Sequence, residues 1–183
     1  MTNPEDELRA KVRALVQDER WGDAIAMMEE QTATVARSFY LAWTLGWALF
    51  KSNRPDDAIE YLTTATELEP ANHVGYWALG EAHGASGNTA DAERCLAVSL
   101  ALKDSYQARR ALGFLHHREG RIEQAEAIYR EGVRLAPDHR ERLETLADFL
   151  SDVGRKTEAE SWYARARELP TRQERKMAAK AQS

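Results

Sequence analysis

The sequence predicts an all-α fold, a solenoid of antiparallel helix pairs, and three observations carry that reading. First, Gly46, Gly80 and Gly113 recur at intervals of 34 and 33 residues in the 183-residue chain, and Ala147 falls 34 further on. Two more columns, Ala24, Ala58, Ala92, Ala125, Ala159 and Asn53, Gly87, Gly120, Gly154, shift by the same single-residue deletion. A fixed period in this range belongs to units that bury their apolar faces only against their neighbours. Second, apolar stripes with helical spacing sit around the glycines, as in Ala42, Leu45, Gly46 and Leu49. Third, no stretch alternates polar and apolar residues as a half-buried strand does.

Each element follows from local chemistry. A small residue at the centre of a stripe lets two helices approach closely, which suits Gly46, Gly80 and Gly113. Asn53, Gly87, Gly120 and Gly154 stand where a helix stops, because a left-handed residue after the last turn is best served by Gly or Asn. Restart signals follow at once: Pro55 fits a first helical turn, and Asp56, Asp57, Asp91 and Glu123 bring acid to the positive end of the next helix. The expected organisation is one array over residues 5–172. Its units are 5–38, which is degenerate, then 39–72, 73–105, 106–139 and 140–172. Residues 173–183 form a polar tail or a partial capping helix. The basic cluster Arg172, Arg175, Lys176 and Lys180 in that tail is too short to claim a nucleic acid.

Residues 42–70 and 109–137 share a leucine–glycine pair, a turn residue, a second-helix alanine and aromatic, and a closing proline. In these features the chain resembles the tetratricopeptide repeat family. Val12 replaces the glycine in the first unit and Ala36 its proline, while the third unit ends at Lys103-Asp104 without one. The resemblance implies a right-handed superhelix whose first helices line a concave groove where partner peptides dock.

Composition bounds the function. A formal charge of −5 argues against a general nucleic-acid footprint. One cysteine, Cys95, excludes an internal disulfide framework and fits a reducing compartment, so a cytoplasmic location is expected. No secretory signal is visible at the N-terminus. The longest apolar run, Phe39 to Phe50, is shorter than the ~20 residues needed to cross a bilayer. His83, His116 and His117 lack the spacing of zinc ligands and are read as packing residues, with no metal and no cofactor expected. No nucleophile–base set or phosphate loop appears, so no catalytic residues are assigned and the chain is not expected to be an enzyme.

The run 39–50 carries a second stripe, Tyr40, Trp43, Trp47 and Phe50, spaced by 3, 4 and 3 residues on a different helical face. By the family resemblance these positions line the groove. Carrying the frame along adds Arg9 and Arg13 from the first unit and Trp77, beside Val74 and Glu81, from the third. It adds Arg110 and Phe114 from the fourth, and Glu141, Glu144 and Asp148 from the fifth. Trp43, Trp47 and Trp77 alone would offer about 450–750 Å² at ~150–250 Å² each, matching or exceeding the ~300–600 Å² patch of a typical monomer. Either a partner's apolar or aromatic segment covers that surface, or the tail, a second copy or tight packing does. The lysine–asparagine clamp that reads Glu-Glu-Val-Asp termini in one tetratricopeptide subclass has no counterpart here. The aromatic groove is more similar to bacterial secretion chaperones. The expected function is a noncatalytic adaptor or chaperone binding another protein. The alternative is a self-assembling scaffold, a homo-oligomer built by stacking repeats between protomers.

Overall fold

The computed structural model describes residues 3–171, 173–175 and 177. The fold is all-α, with helices packed in pairs and no strand among the described residues. The chain divides into two compact units, Met1–Ala111 and Leu112–Ser183. In the first unit α1 is Pro4–Gln17, α2 Trp21–Glu29, α3 Thr32–Val35, α4 Phe39–Lys51, α5 Pro55–Leu68, α6 His73–Ala85 and α7 Thr89–Leu102. Helix α8, Tyr106–Arg118, contains the division, and α9 Ile122–Leu135, α10 Arg140–Asp152 and α11 Lys156–Arg167 follow.

The turn column works as its residue types predict. Asn53, Gly87, Gly120 and Gly154 all have positive φ, between 59° and 84°. At each turn the next residue's amide reaches back five residues: Arg54 to the Leu49 carbonyl at 3.0 Å, Asn88 to His83 at 2.9 Å, Arg121 to His116 at 2.9 Å and Arg155 to Leu150 at 2.8 Å. This bond satisfies one of the carbonyls a helix end leaves without a partner. The first unit hides the same turn. Arg20 donates to the Leu15 carbonyl at 2.9 Å, and the left-handed residue is Glu19, with φ 56°. A residue with a Cβ is disfavoured there by ~1–2 kcal/mol. Glu19→Gly is therefore expected to stabilise the chain by about 1 kcal/mol, read as a higher denaturant midpoint at unchanged slope.

The degenerate unit departs from a simple helix pair. Helix α2 stops at Glu29, and α3 is a separate turn holding Val35 in the core at 0% exposure. Gln31 takes non-helical angles, φ −129° and ψ 39°, ahead of Thr32, Thr34 and Val35. The break falls at Gln31, and α3 then carries Val35 into the core.

Close approach at the glycine column is tight in both units. A Cβ on Gly46 would lie 2.5 Å from Leu62 Cγ, and one on Gly80 2.7 Å from Leu96 Cγ. In the second unit a Cβ on Gly113 would lie 2.4 Å from Tyr129 Cε1. The first unit's core includes Val12, Met28, Leu41, Leu45, Leu49 and Leu62, and the second's Tyr129, Leu143, Leu146, Phe149 and Leu150. Side chains close the proline-free junction at Lys103-Asp104. Arg109 Nε donates to Asp104 Oδ1 at 2.8 Å, and Ser105 Oγ accepts from the Ala108 amide at 3.2 Å.

In the second unit an ionic ring joins α9 to the start of α11. Arg130 donates to Glu126 at 2.7 Å and to Glu158 at 2.5 Å, while Arg155 donates to both Glu126 oxygens at 2.7 Å and to Glu158 at 2.5 Å. The Arg130 bonds, then those of Arg155, hold both carboxyls below their ordinary value of 4.5. A carboxyl with a depressed folded pKa stabilises above its unfolded pKa and loses that contribution as pH falls through the folded one. Stability should fall as the medium is acidified below about pH 4.5, and Glu126→Gln should make that fall shallower in acid-denaturation curves.

Candidate functional site

The first unit assembles most of the groove residues expected from the sequence. On α4 one face buries Leu41, Ala42, Leu45, Ala48 and Leu49 at 0% exposure, which fixes the helix against its neighbours. Tyr40, Trp43, Trp47 and Phe50 are left half-buried on another face. Trp43 and Trp47 stack with planes 5° apart and centroids 6.1 Å apart. Trp47 also lies 5.1 Å from Phe50 and 4.8 Å from Trp77 on α6. These offset and tilted contacts are favoured by the ring quadrupoles. The rings thus cover one another in part, a source of burial that the spacing alone did not reveal. Trp43 Nε1 is buried and has no acceptor among the described residues.

Charged groups border this floor. From α1, the Arg9 guanidinium sits 5.0 Å from the Tyr40 ring centre and that of Arg13 5.9 Å, both within cation–π range. Arg9 is also 3.7 Å from Glu5. On α6, Glu81 accepts a 3.3 Å hydrogen bond from Trp77 Nε1 and faces Arg110 at 3.6 Å. Burial pushes the Glu81 carboxyl up, against the opposing pull of Arg110, the Trp77 hydrogen bond and Lys51. Lys51 follows Trp47 by one helical turn and is exposed. It is absent from the sequence-derived set, because a lysine after an apolar helix reads as a helix-end charge.

In the second unit Phe114 is 57% exposed. The three acids expected at one end of the groove all have partners there. Both Glu141 oxygens accept from Arg175 at 2.7 Å, and His139 lies 3.2 Å away. Burial raises the Glu141 carboxyl, but the Arg175 bonds, a bond from its own backbone amide and the charges of Arg175 and His139 together outweigh it and leave the pKa lowered. Arg140 donates to Glu144 at 2.8 Å. Tyr163 donates to Asp148 at 2.5 Å, and this bond is the main reason its phenol is pushed up to about 12. Of the tail's basic cluster, Arg172, Lys176 and Lys180 lie outside the described residues.

The other side chains noted in the sequence have ordinary surroundings. Burial lowers the pKa of His83 and raises that of the Cys95 thiol, which disfavours a thiolate ligand or nucleophile. His116 Nδ1 lies 3.0 Å from Gln124 Oε1. Among the described residues no group of three or more His, Cys, Asp and Glu side chains could hold a metal ion, and no helix is long and apolar enough to cross a membrane.

Paired helices at a constant step, glycines at the pair contacts and aromatic residues on a first helix define a helical-repeat protein. The chain belongs to the tetratricopeptide repeat family, whose models match residues 9–73, 49–113 and 106–131. Solved structures show the same fold. TTC0263, a thermophilic TPR protein in Thermus thermophilus, is 22% identical, with a TM-score of 0.73 over 90% of each chain. A crystal structure of MamA is 19% identical, with a TM-score of 0.69 over 98% of this chain and 99% of that one. No curated protein matches the sequence. The family fold supports a general role in protein–protein interaction.

Proposed function

We propose that the chain is a noncatalytic adaptor or chaperone that holds an apolar or aromatic segment of another protein against the first unit's aromatic floor. The observation that carries this reading is the half-buried stack of Trp43, Trp47 and Trp77. Trp43 and Trp47 stand opposite the fully buried face of α4, Trp77 meets Trp47 from α6, and all three rings remain partly open to solvent. Large aromatic side chains of this kind anchor interfaces because they bury much area at little conformational cost. The lone thiol fits a reducing compartment, and we extend the proposal to a cytoplasmic setting.

Affinity capture with the wild type and a Trp43→Ala/Trp47→Ala variant in parallel tests the reading. Proteins retained by the wild type should be missing from the variant, whose helical circular dichroism should persist. Retention of the same proteins by both would overturn it.

A further inference from the structure

The floor and its border carry more information than an apolar surface alone. Arg9 and Arg13 stand at the Tyr40 side, and Lys51 and Arg110 at the side of Trp77 and Glu81. Against these four cations stand Glu81 and, paired to Arg9, Glu5. The chain as a whole carries −5, so this positive border is a local reversal of sign. Arg13 and Lys51 are exposed, and the Arg110 side chain is 47% exposed, so three of the cations remain open to a ligand.

We infer, resting on the function proposed above, that the occupant is a protein segment with an apolar or aromatic centre and acidic residues toward both ends. Charge complementarity selects this occupant. A basic segment would bring like charge to Arg13, Lys51 and Arg110, and a neutral one would leave their field unused. The centre stacks on Trp47 and Trp77, one acidic end meets Arg13, and the other meets Lys51 and Arg110. The distance follows from the fold. The outermost cations, Arg13 and Arg110, sit on α1 and α8, three helix-to-helix steps apart at ~8–10 Å each, which an extended chain of about seven to nine residues spans at ~3.3 Å per residue. Both ends of the recognised segment are acidic because cations border the floor at the Tyr40 side and at the Trp77 side alike.

Glu81 decides between opposite ligand charges. Its carboxylate lies against both the Trp77 indole and Arg110, so a basic ligand at this end needs it and an acidic ligand is repelled by it. Glu81→Gln keeps a carbonyl acceptor for Trp77 Nε1 and removes only the charge.

The experiment pans displayed random nine-residue peptides against the full chain, with Trp47→Ala as the subtracting control. Enriched peptides are then made synthetically and titrated by fluorescence polarisation at low and high salt. Acidic residues flanking an apolar centre should be enriched. Glu81→Gln should bind such peptides more tightly, and Arg13→Glu/Lys51→Glu, both at exposed positions, should weaken them roughly tenfold at low salt. Basic or charge-indifferent peptides, or weaker binding by Glu81→Gln, would overturn the acidic assignment while leaving the aromatic floor in place. Equal enrichment on Trp47→Ala, or no enrichment at all, would remove the floor reading together with it. Self-association of the wild type that is lost in Trp47→Ala would make the occupant a second copy and also overturn the proposal.

Discussion

Gly113→Ala is expected to destabilise the chain by about 1–3 kcal/mol, the cost of overpacking a dense interior. The added methyl would sit 2.4 Å from Tyr129 Cε1 and 2.5 Å from Cζ. A planar ring cannot fold away, and Tyr129 is only 7% exposed and packs 5.2 Å from Phe149. At Gly46 and Gly80 the same methyl meets the Cγ branch carbons of Leu62 and Leu96 at 2.5 and 2.7 Å, which a change of χ1 can move, and lies 3.1 and 3.3 Å from the Ala58 and Ala92 carbonyls, so those substitutions should cost less than one against a planar ring. Leu62, Leu96 and Tyr129 occupy one column of the repeat. Tyr129→Leu in the Gly113→Ala background should therefore recover part of the loss, giving a measurable coupling in a double-mutant cycle. Urea midpoints of the four chains supply the data. Gly120→Ala is the control, because its space is open and only its φ of 72° opposes a Cβ. No loss at Gly113, which lies inside α8 and has no positive φ, would show that helix approach does not constrain this column.

Trp47→Ala is expected to weaken partner binding by ~2 kcal/mol or more, roughly 30-fold, the scale of an interface hot spot. Trp47 touches Trp43, Phe50 and Trp77, so its removal takes away the ring that joins α4 to α6 across the floor. Glu144→Ala should leave affinity within a factor of about two, because Glu144 is held by Arg140 in the second unit. The comparison is made by titrating one captured partner into each variant and repeating it at raised salt. Comparable effects from both substitutions would remove the special standing of the aromatic floor.

Helix starts are legible in the sequence because they are local. Glycine or asparagine at a left-handed turn, followed by proline or acid, marks a stop and a restart within a few residues, and α5, α7, α9 and α11 begin at Pro55, Thr89, Ile122 and Lys156. The turn at Glu19 is not legible, because it is built from the same five-residue bond without the residue type that advertises it. The split of α2 from α3 depends on where Val35 finds its core, a tertiary fact. The stripe of Tyr40, Trp43 and Trp47 can be read from spacing, but its stacking geometry cannot. Partners of the acids are hidden for a related reason. Asp148 and Tyr163 are 15 residues apart, and Glu141 and Arg175 are 34 apart, so only the packed helices bring them together.

That last separation is one full period, and it bears on how such a chain can lengthen. Thr171 and Glu174 bond reciprocally, the Thr171 amide to the Glu174 carboxylate at 2.6 Å and the Glu174 amide to the Thr171 hydroxyl at 3.2 Å. Residues 173–175 and 177 are helical, and Arg175 reaches back to the first turn of α10. The segment therefore sits in register with a next first helix. A duplicated unit joined in this phase would inherit a prepared seat, so the array can grow by whole modules without redesign of the preceding one.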